Sequence, residues 1–349
     1  MRPAEAVLIE GVPVGRMSDL PPEAAGLHAL VRYWKKTSPS ALARWQRENA
    51  GRYLPQELPF RLAWEHGLWA TTGPGTMEQL KSLLRSGTPV LVVTQRNALL
   101  PDTRRYELVI GYDDGDGSVL VVGEGRDPYR VESYGDFERK WRVAQNRMTV
   151  LRPPEFDRLP LGAPELFDRA RFHEAAGAYD AAVADYRAAA DAGLGQSVLY
   201  VKLGNTLRSK GEVEDAEAAY RKAIALDPGN GQAFNNLAYI LAERSKDLEE
   251  AAALARQAMV LDPANARVLD TLGFVLYRQE RYREAADVLE RARGRARSYP
   301  PEVQAEIAFR LVRAHLRNGD IHLAREVFRD ARRMVPADRV PDDLRELLK

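Results

Sequence analysis

The sequence predicts two dissimilar parts in tandem, an α+β domain followed by an all-α solenoid, and three observations carry this reading. All five tryptophans (Trp34, Trp45, Trp64, Trp69 and Trp141) precede residue 150. Beyond about residue 163 the chain turns rich in Ala, Arg and Glu, and its small residues recur about every 34 positions. Between the two lies "VLRPPEFDRLPLGAP", residues 150–164, whose four prolines and one glycine argue for an extended connection. The expected partition is residues 1–153, a linker at 154–162, five helical repeats at 163–338 and a capping helix at 339–349.

The elements of the first part follow in order. "PPEAAGLHALVRYW" at 21–34 is a loop turning into an amphipathic helix. "TMEQLKSLLRSG" at 76–87 reads as a helix capped by Thr76 and closed by Gly87, and "PVLVVTQ" after it as a buried strand. "RRYELVIGYDDGDGSVLVVGEG" is strand, Asp/Gly turn and strand, a hairpin. "YGDFERKW" is a short helix and "RMTVLRPP" a last strand. Helices early and antiparallel strands late make an α+β domain. "GPG" at 73–75 and "GDG" at 115–117 read as turns. Most tryptophans belong to the core, with Trp69, beside Gly67, the candidate for partial exposure.

Composition excludes several functions. The 349 residues carry 51 Lys plus Arg against 50 Asp plus Glu, a net charge of +1, which removes the global electrostatic argument for nucleic acid. With no cysteine, disulfides, thiolate metal sites and a cysteine nucleophile are impossible. No two histidines stand three or four apart, so neither a metal nor another cofactor is expected. No apolar run approaches the roughly 18 residues of a membrane span. The start, "MRPAEAVLIEGVPVG", has no charged segment followed by an apolar one. A cytoplasmic location is expected, or a periplasmic or envelope one if a leader precedes this sequence.

In the second part the repeats align on small and large residues. The second has Leu203-Gly204, Ala216, Tyr220, Ala223 and Pro228; the third Leu237-Ala238, Ala251, Ala255, Ala258 and Pro263, after one inserted residue. The fourth has Leu272-Gly273, Ala285, Leu289 and Ala292; the fifth, displaced around "SYPPE", has Leu311, Ala324, Phe328, Ala331 and Pro336. A weaker first repeat has Ala170, Ala182, Tyr186 and Ala189. Gly or Ala on one helix admits its partner closely, and proline ends each pair. No pair buries its apolar face alone, so stacking is obligatory. "VPDDLRELLK" closes the array as a short helix with acidic residues in its first turn.

This region resembles the tetratricopeptide-repeat (TPR) family over about 180 residues. The resemblance implies a concave face for a protein or peptide partner, with Arg171, Asn205, Arg208, Asn236, Tyr239, Arg267, Asp270, Phe274, Tyr277 and Arg313 as groove-facing candidates. Asn205, Asn236 and Arg267 fall at three positions that hold a peptide carboxylate in chaperone-binding relatives; the other two are Val201 and Thr271, neither basic. The alternative for Asn236 is that it braces the neighbouring helix. The basic run "RARGRARSYP" at 291–300 reads as a solvated helix end, with Glu280, Glu284, Asp287 and Glu290 around its start.

The first part resembles the papain-like peptidases that process double-glycine leader peptides, over roughly residues 8–153. "GVPVG" resembles the strand that leads into the active site, and "AGLHAL" the cysteine-glycine start of the nucleophile helix. "RYELVIGYDD" resembles the strand that opens on the catalytic histidine, and "GDFERKW" with "MTVLRPP" the closing helix and strand. Residue by residue, the resemblance places Ala25 at the nucleophile and Arg105 at the base. A methyl cannot attack a carbonyl, and a guanidinium stays protonated. The oxyanion glutamine should fall near Arg16 or Met17, yet no Gln occurs before residue 46. The residue orienting the base would fall near Glu124 or Asp127. Without nucleophile, base and oxyanion donor there is no covalent route.

The sequence therefore predicts a non-catalytic scaffold, a pseudo-peptidase domain of papain-like α+β fold joined to a TPR interaction array. A partner would occupy the TPR groove and, through backbone hydrogen bonds, the inert cleft. Two alternatives stand beside it. One is an active peptidase with an unrecognised nucleophile, for which Ser18, Ser38 and Ser40, with His28 and His66, are the available substitutes. The other is a structural TPR adaptor whose first domain only caps the array.

Overall fold

The computed structural model describes residues 5–13, 22–35, 39–49, 58–96, 104–122, 129–154, 156 and 161–345. They fall into two compact units, Met1–Leu194 and Gly195–Lys349.

The first unit runs β1 (Ala6–Leu8), α1 (Pro22–Lys35), α2 (Pro39–Asn49), α3 (Leu58–Glu65), β2 (Trp69–Pro74), α4 (Met77–Arg85), β3 (Val90–Gln95), β4 (Arg104–Asp113), β5 (Ser118–Val122), β6 (Tyr129–Ser133), α5 (Tyr134–Val143), β7 (Arg147–Arg152), α6 (Ala163–Ala175) and α7 (Tyr179–Asp191). The strands form one antiparallel sheet in the order β2-β7-β3-β4-β5-β6, with β1 also paired to β4. Gly111 permits that extra pairing: a Cβ there would stand 2.3 Å from the Val7 carbonyl oxygen. The Thr76 capping box on α4 and the β4–β5 hairpin form as the sequence predicts. α1 packs on the sheet through Gly26, whose missing Cβ leaves room for the Leu91 side chain.

The structure corrects several expectations. The leading strand is Ala6–Leu8, upstream of "GVPVG", of which residues 11–13 are not strand. Two strands, β2 and β6, were not anticipated. Gly73 and Pro74 end β2 rather than forming a separate turn, and proline is tolerated because β2 is an edge strand. Trp69 is only 1% exposed, opposite Arg152 in the β2–β7 pair and beneath α6.

The helix pair α6–α7, expected to open the repeat array, lies in the first unit. α6 packs on β2, and the Arg171 guanidinium lies over the rings of Phe60 and Trp64 on α3, at 5.3 and 5.9 Å. Within the pair, Asp185 holds Arg169 through two hydrogen bonds of 2.9 and 2.5 Å.

The second unit comprises α8 (Ser197–Lys210), α9 (Val213–Leu226), α10 (Gly231–Glu243), α11 (Leu248–Leu261), α12 (Ala266–Arg278), α13 (Tyr282–Arg295), α14 (Pro301–Asn318), α15 (Ile321–Ala331) and α16 (Asp342–Arg345). Consecutive helices pack as antiparallel pairs, and the small residues of the repeat sit where they meet. A Cβ on Gly204 would stand 2.6 Å from the Tyr220 ring, and one on Gly273 2.5 Å from Leu289. Ala216, Ala223, Ala251, Ala255, Ala258, Ala285 and Ala292 are fully buried. In "LDPGN" and "LDPAN" the asparagines, Asn230 and Asn265, cap the next helices. The inserted residue of the third repeat is absorbed by Ser245 and Asp247, both at positive φ, with Asp247 capping α11. α16 buries Leu344 and begins with Asp342 and Asp343, as predicted for the terminal helix; residues 346–349 lie outside the described set.

Candidate binding groove of the second unit

The first helices of successive pairs, α8, α10, α12 and α14, line an open groove of about 990 Å³. Six of the ten predicted residues line it: Asn205, Arg208, Asn236, Tyr239, Arg267 and Asp270. Phe274 adjoins it through Tyr239, the two rings lying 5.4 Å apart and inclined by 33°. Repeat spacing explains the gathering, since equivalent positions on stacked helices return to one face.

Two asparagines act on each other. Asn205 Oδ1 accepts from the Tyr220 hydroxyl at 2.7 Å and from Asn236 Nδ2 at 2.9 Å, so Asn236 braces the neighbouring helix. Arg267, whose backbone N–H is capped by Asn265 at 3.0 Å, keeps its side chain in the groove wall.

The remaining candidates lie elsewhere. Arg171 is in the first unit, against α3. Tyr277 packs edge-on against Tyr282 of its own pair, at 5.4 Å. Arg313 binds Asp343 of α16 through two 2.7 Å hydrogen bonds and lines a smaller hollow of about 350 Å³. This hollow adjoins the main groove, sharing Glu306 and Arg310 with it.

Arg310 is the principal residue the sequence reading missed. It pairs with Asp270 and lies over Tyr239 at 5.5 Å and Phe274 at 5.1 Å, while Arg208 approaches Tyr239 at 5.5 Å. The signal was available: Arg310 precedes Leu311 as Asn236 precedes Leu237, and Glu306 holds in α14 the place of Arg267 in α12. In this repeat the sequence points instead to Arg313, two residues after Leu311 as Tyr239 and Phe274 are two after Leu237 and Leu272. Gln232 and Asn235, in the first turns of α10, also line the groove.

Burial governs the electrostatics. Asp270 is pushed up to about 6 chiefly by desolvation; Arg310 pulls it down, Glu306 adds to the rise, and Arg267 pulls it down again. Its Oδ1 is buried and, among the described residues, has no hydrogen-bond partner.

In the first unit, α1 begins at Pro22 and includes Ala25, whose side chain lies outside the described set. Arg105 is the second residue of β4, exposed and opposite Thr94 of β3. Arg16, Met17, Ser18, Ser38, Glu124 and Asp127 fall outside the described residues. His28 is 2% exposed and held down to about 4 by burial, then by His66 and Arg32. Among the described residues no group of three or more His, Asp or Glu could hold a metal, and no helix is long and apolar enough to cross a membrane.

The tetratricopeptide-repeat family profile matches residues 201–266 and 271–339. The second unit carries tetratricopeptide repeats. The two TPR matches cover all four groove-forming helices except residues 197–200 of α8 and 267–270 of α12. No curated protein matches the chain. Among solved structures the chain is similar to MamA (19% identity, TM-score 0.43, covering 49% of this chain and 91% of that one). It is also similar to YrrB, described as a TPR protein with an unusual peptide-binding site (18%, TM-score 0.41, 50% and 87%). A third is pilF of Pseudomonas aeruginosa (20%, TM-score 0.41, 48% and 76%).

Proposed function

We propose that the protein is a non-catalytic scaffold that binds an extended peptide in the groove of its TPR unit. The observation that carries this is the composition of the groove wall. Gln232, Asn235 and Asn236 offer carboxamides, each with donors and an acceptor that match a peptide backbone. Tyr239 and Phe274 beside them supply a rigid apolar surface for a side chain. Among the described residues that line the groove there is no histidine, and recognition needs no nucleophile–base pair. Fluorescence anisotropy of a labelled random peptide library against the full chain tests this. Saturable binding that weakens by about tenfold in Tyr239→Ala/Phe274→Ala is expected, a typical loss for a truncated aromatic anchor. Binding indifferent to that change refutes the assignment.

In the same reading the first unit is a degenerate papain-like peptidase, inert because Ala25 and Arg105 stand for nucleophile and base. The early helix packed on an antiparallel sheet through Gly26, and the strand opening at Arg104, support it. The chain has no cysteine, so Ala25→Cys introduces a sole thiol. A thiol at the start of a papain-like nucleophile helix titrates well below the ordinary value of about 8.5. Alkylation rates followed against pH should show that depression. An ordinary titration near 8.5 removes the papain-like reading.

A further inference from the structure

The chain satisfies part of the charge in the TPR groove internally; among the described residues the Arg267 guanidinium and the Glu306 carboxylate are left without an ion pair, and two buried oxygens without a donor. Arg310 is engaged by Asp270 Oδ2 and by the faces of Tyr239 and Phe274, and Arg208 by the face of Tyr239. The groove-lining side-chain atoms that are buried without a hydrogen-bond partner, among the described residues, are both oxygens: Asp270 Oδ1 and Asn235 Oδ1. An ionised carboxylate oxygen only accepts. Glu306, one turn before Arg310 on α14, lines the same groove, close enough to Asp270 to disfavour its charge. No ion pair engages Glu306 among the described residues.

We infer that the groove, read as a peptide site, selects a peptide bearing a lysine or arginine side chain, whose cation sits between Asp270 Oδ1 and Glu306 beside the Tyr239–Phe274 wall. Net charge does not make the choice, because Arg267 and Arg310 balance the two carboxylates nearby. The unpaired acceptor does. Asp270 Oδ1 is already buried without a donor in the free chain, and a neutral aliphatic side chain leaves it so, the costly arrangement for a buried polar atom. A ligand carboxylate adds another acceptor. An ammonium or guanidinium brings several donors and makes charge-assisted hydrogen bonds to both oxygens.

The test uses the full chain and three fluorescein-labelled peptide libraries, random except at a central residue fixed as lysine, norleucine or glutamate. The lysine library should bind about tenfold more tightly than the norleucine library, the scale of one charge-assisted hydrogen bond. Asp270→Asn and Glu306→Gln should each abolish that preference; the second variant alters an exposed group, so it does not depend on how the buried one is tolerated. Equal affinity for lysine and norleucine, or preference for glutamate, with Tyr239→Ala still weakening binding, overturns the inference and leaves the groove assignment standing. Absence of binding by all three libraries, or binding untouched by Tyr239→Ala, overturns both.

Discussion

Replacing Asp270 by asparagine should change how the second unit's stability depends on pH, in a direction opposite to that of most carboxylates. Asp270 is 13% exposed and its carboxyl is raised from the ordinary 3.8 to about 6. Folding thus favours its protonated form, and the stability this contributes is fully present below pH ~4 and lost as pH rises through about 6. The displacement corresponds to about 3 kcal/mol at most, and about half of that is a reasonable realised value for a group that also touches Arg310. Asparagine is nearly isosteric and does not titrate. Wild type should therefore lose about 1.5–3 kcal/mol relative to Asp270→Asn between pH ~4 and pH ~7. Urea unfolding followed by far-UV circular dichroism measures it. All five tryptophans lie in the first unit, so tryptophan fluorescence separates that unit's transition from the helical one. The charged groups that act on Asp270 are Arg267 on its own helix and Arg310 and Glu306 from α14. A difference that stays constant with pH would mean that Arg310 holds Asp270 ionised throughout, and that burial does not dominate.

Two further outcomes follow from packing and burial. Gly204→Ala places a methyl 2.6–2.9 Å from three atoms of the buried Tyr220 ring, whose hydroxyl is tied to Asn205. Overpacking of about 1–3 kcal/mol should outweigh the better helix propensity of alanine, about 1 kcal/mol, and lower the urea midpoint of the helical transition; an unchanged or raised midpoint contradicts the close approach. His28, lowered from 6.5 to about 4 beside His66 and Arg32, resists protonation when folded. The first unit should keep full stability above pH ~6.5 and lose up to about 3 kcal/mol as pH falls toward 4, a loss absent in His28→Leu. Parallel fluorescence-detected curves for the two proteins would show that His28 is solvated.

The repeat unit was the most legible part of the chain because its signal is local and repeated. Leu203-Gly204 facing Tyr220, or Leu272-Gly273 facing Leu289, states the same packing rule in each pair, so one misreading is corrected by the next repeat. In the fifth repeat, aligned on Leu311, the reading took Arg313, the counterpart of Tyr239 and Phe274, for the groove and passed over Arg310. The first unit offers no such redundancy. β6, with Val131 outward and charged neighbours on both sides, has no hydrophobic pattern strong enough to mark a strand. β2 is a strand because β7 and α6 cover it, which is tertiary information. The pair α6–α7 shows the same limit: its small residues obey the repeat pattern, yet Arg171 on Phe60 and Trp64 joins it to the first unit.

Arg310 and Arg313 show why a groove's chemistry is fixed by pairing and not by composition. They lie three residues apart on α14, and both border the hollow beside the main groove. Arg313 is taken by Asp343 of the terminal helix, which holds that carboxyl below its ordinary range. Arg310 is taken by Asp270 and two aromatic rings. A count of side chains makes the groove wall neutral, with Arg208, Arg267 and Arg310 against Asp262, Asp270 and Glu306, and singles out no ligand. Once the chain's own carboxylates are assigned, the strongest unmet demand is the Asp270 oxygen that no donor reaches, with Glu306 beside it. The partner is defined by that remainder, and a peptide cation is the group that completes it.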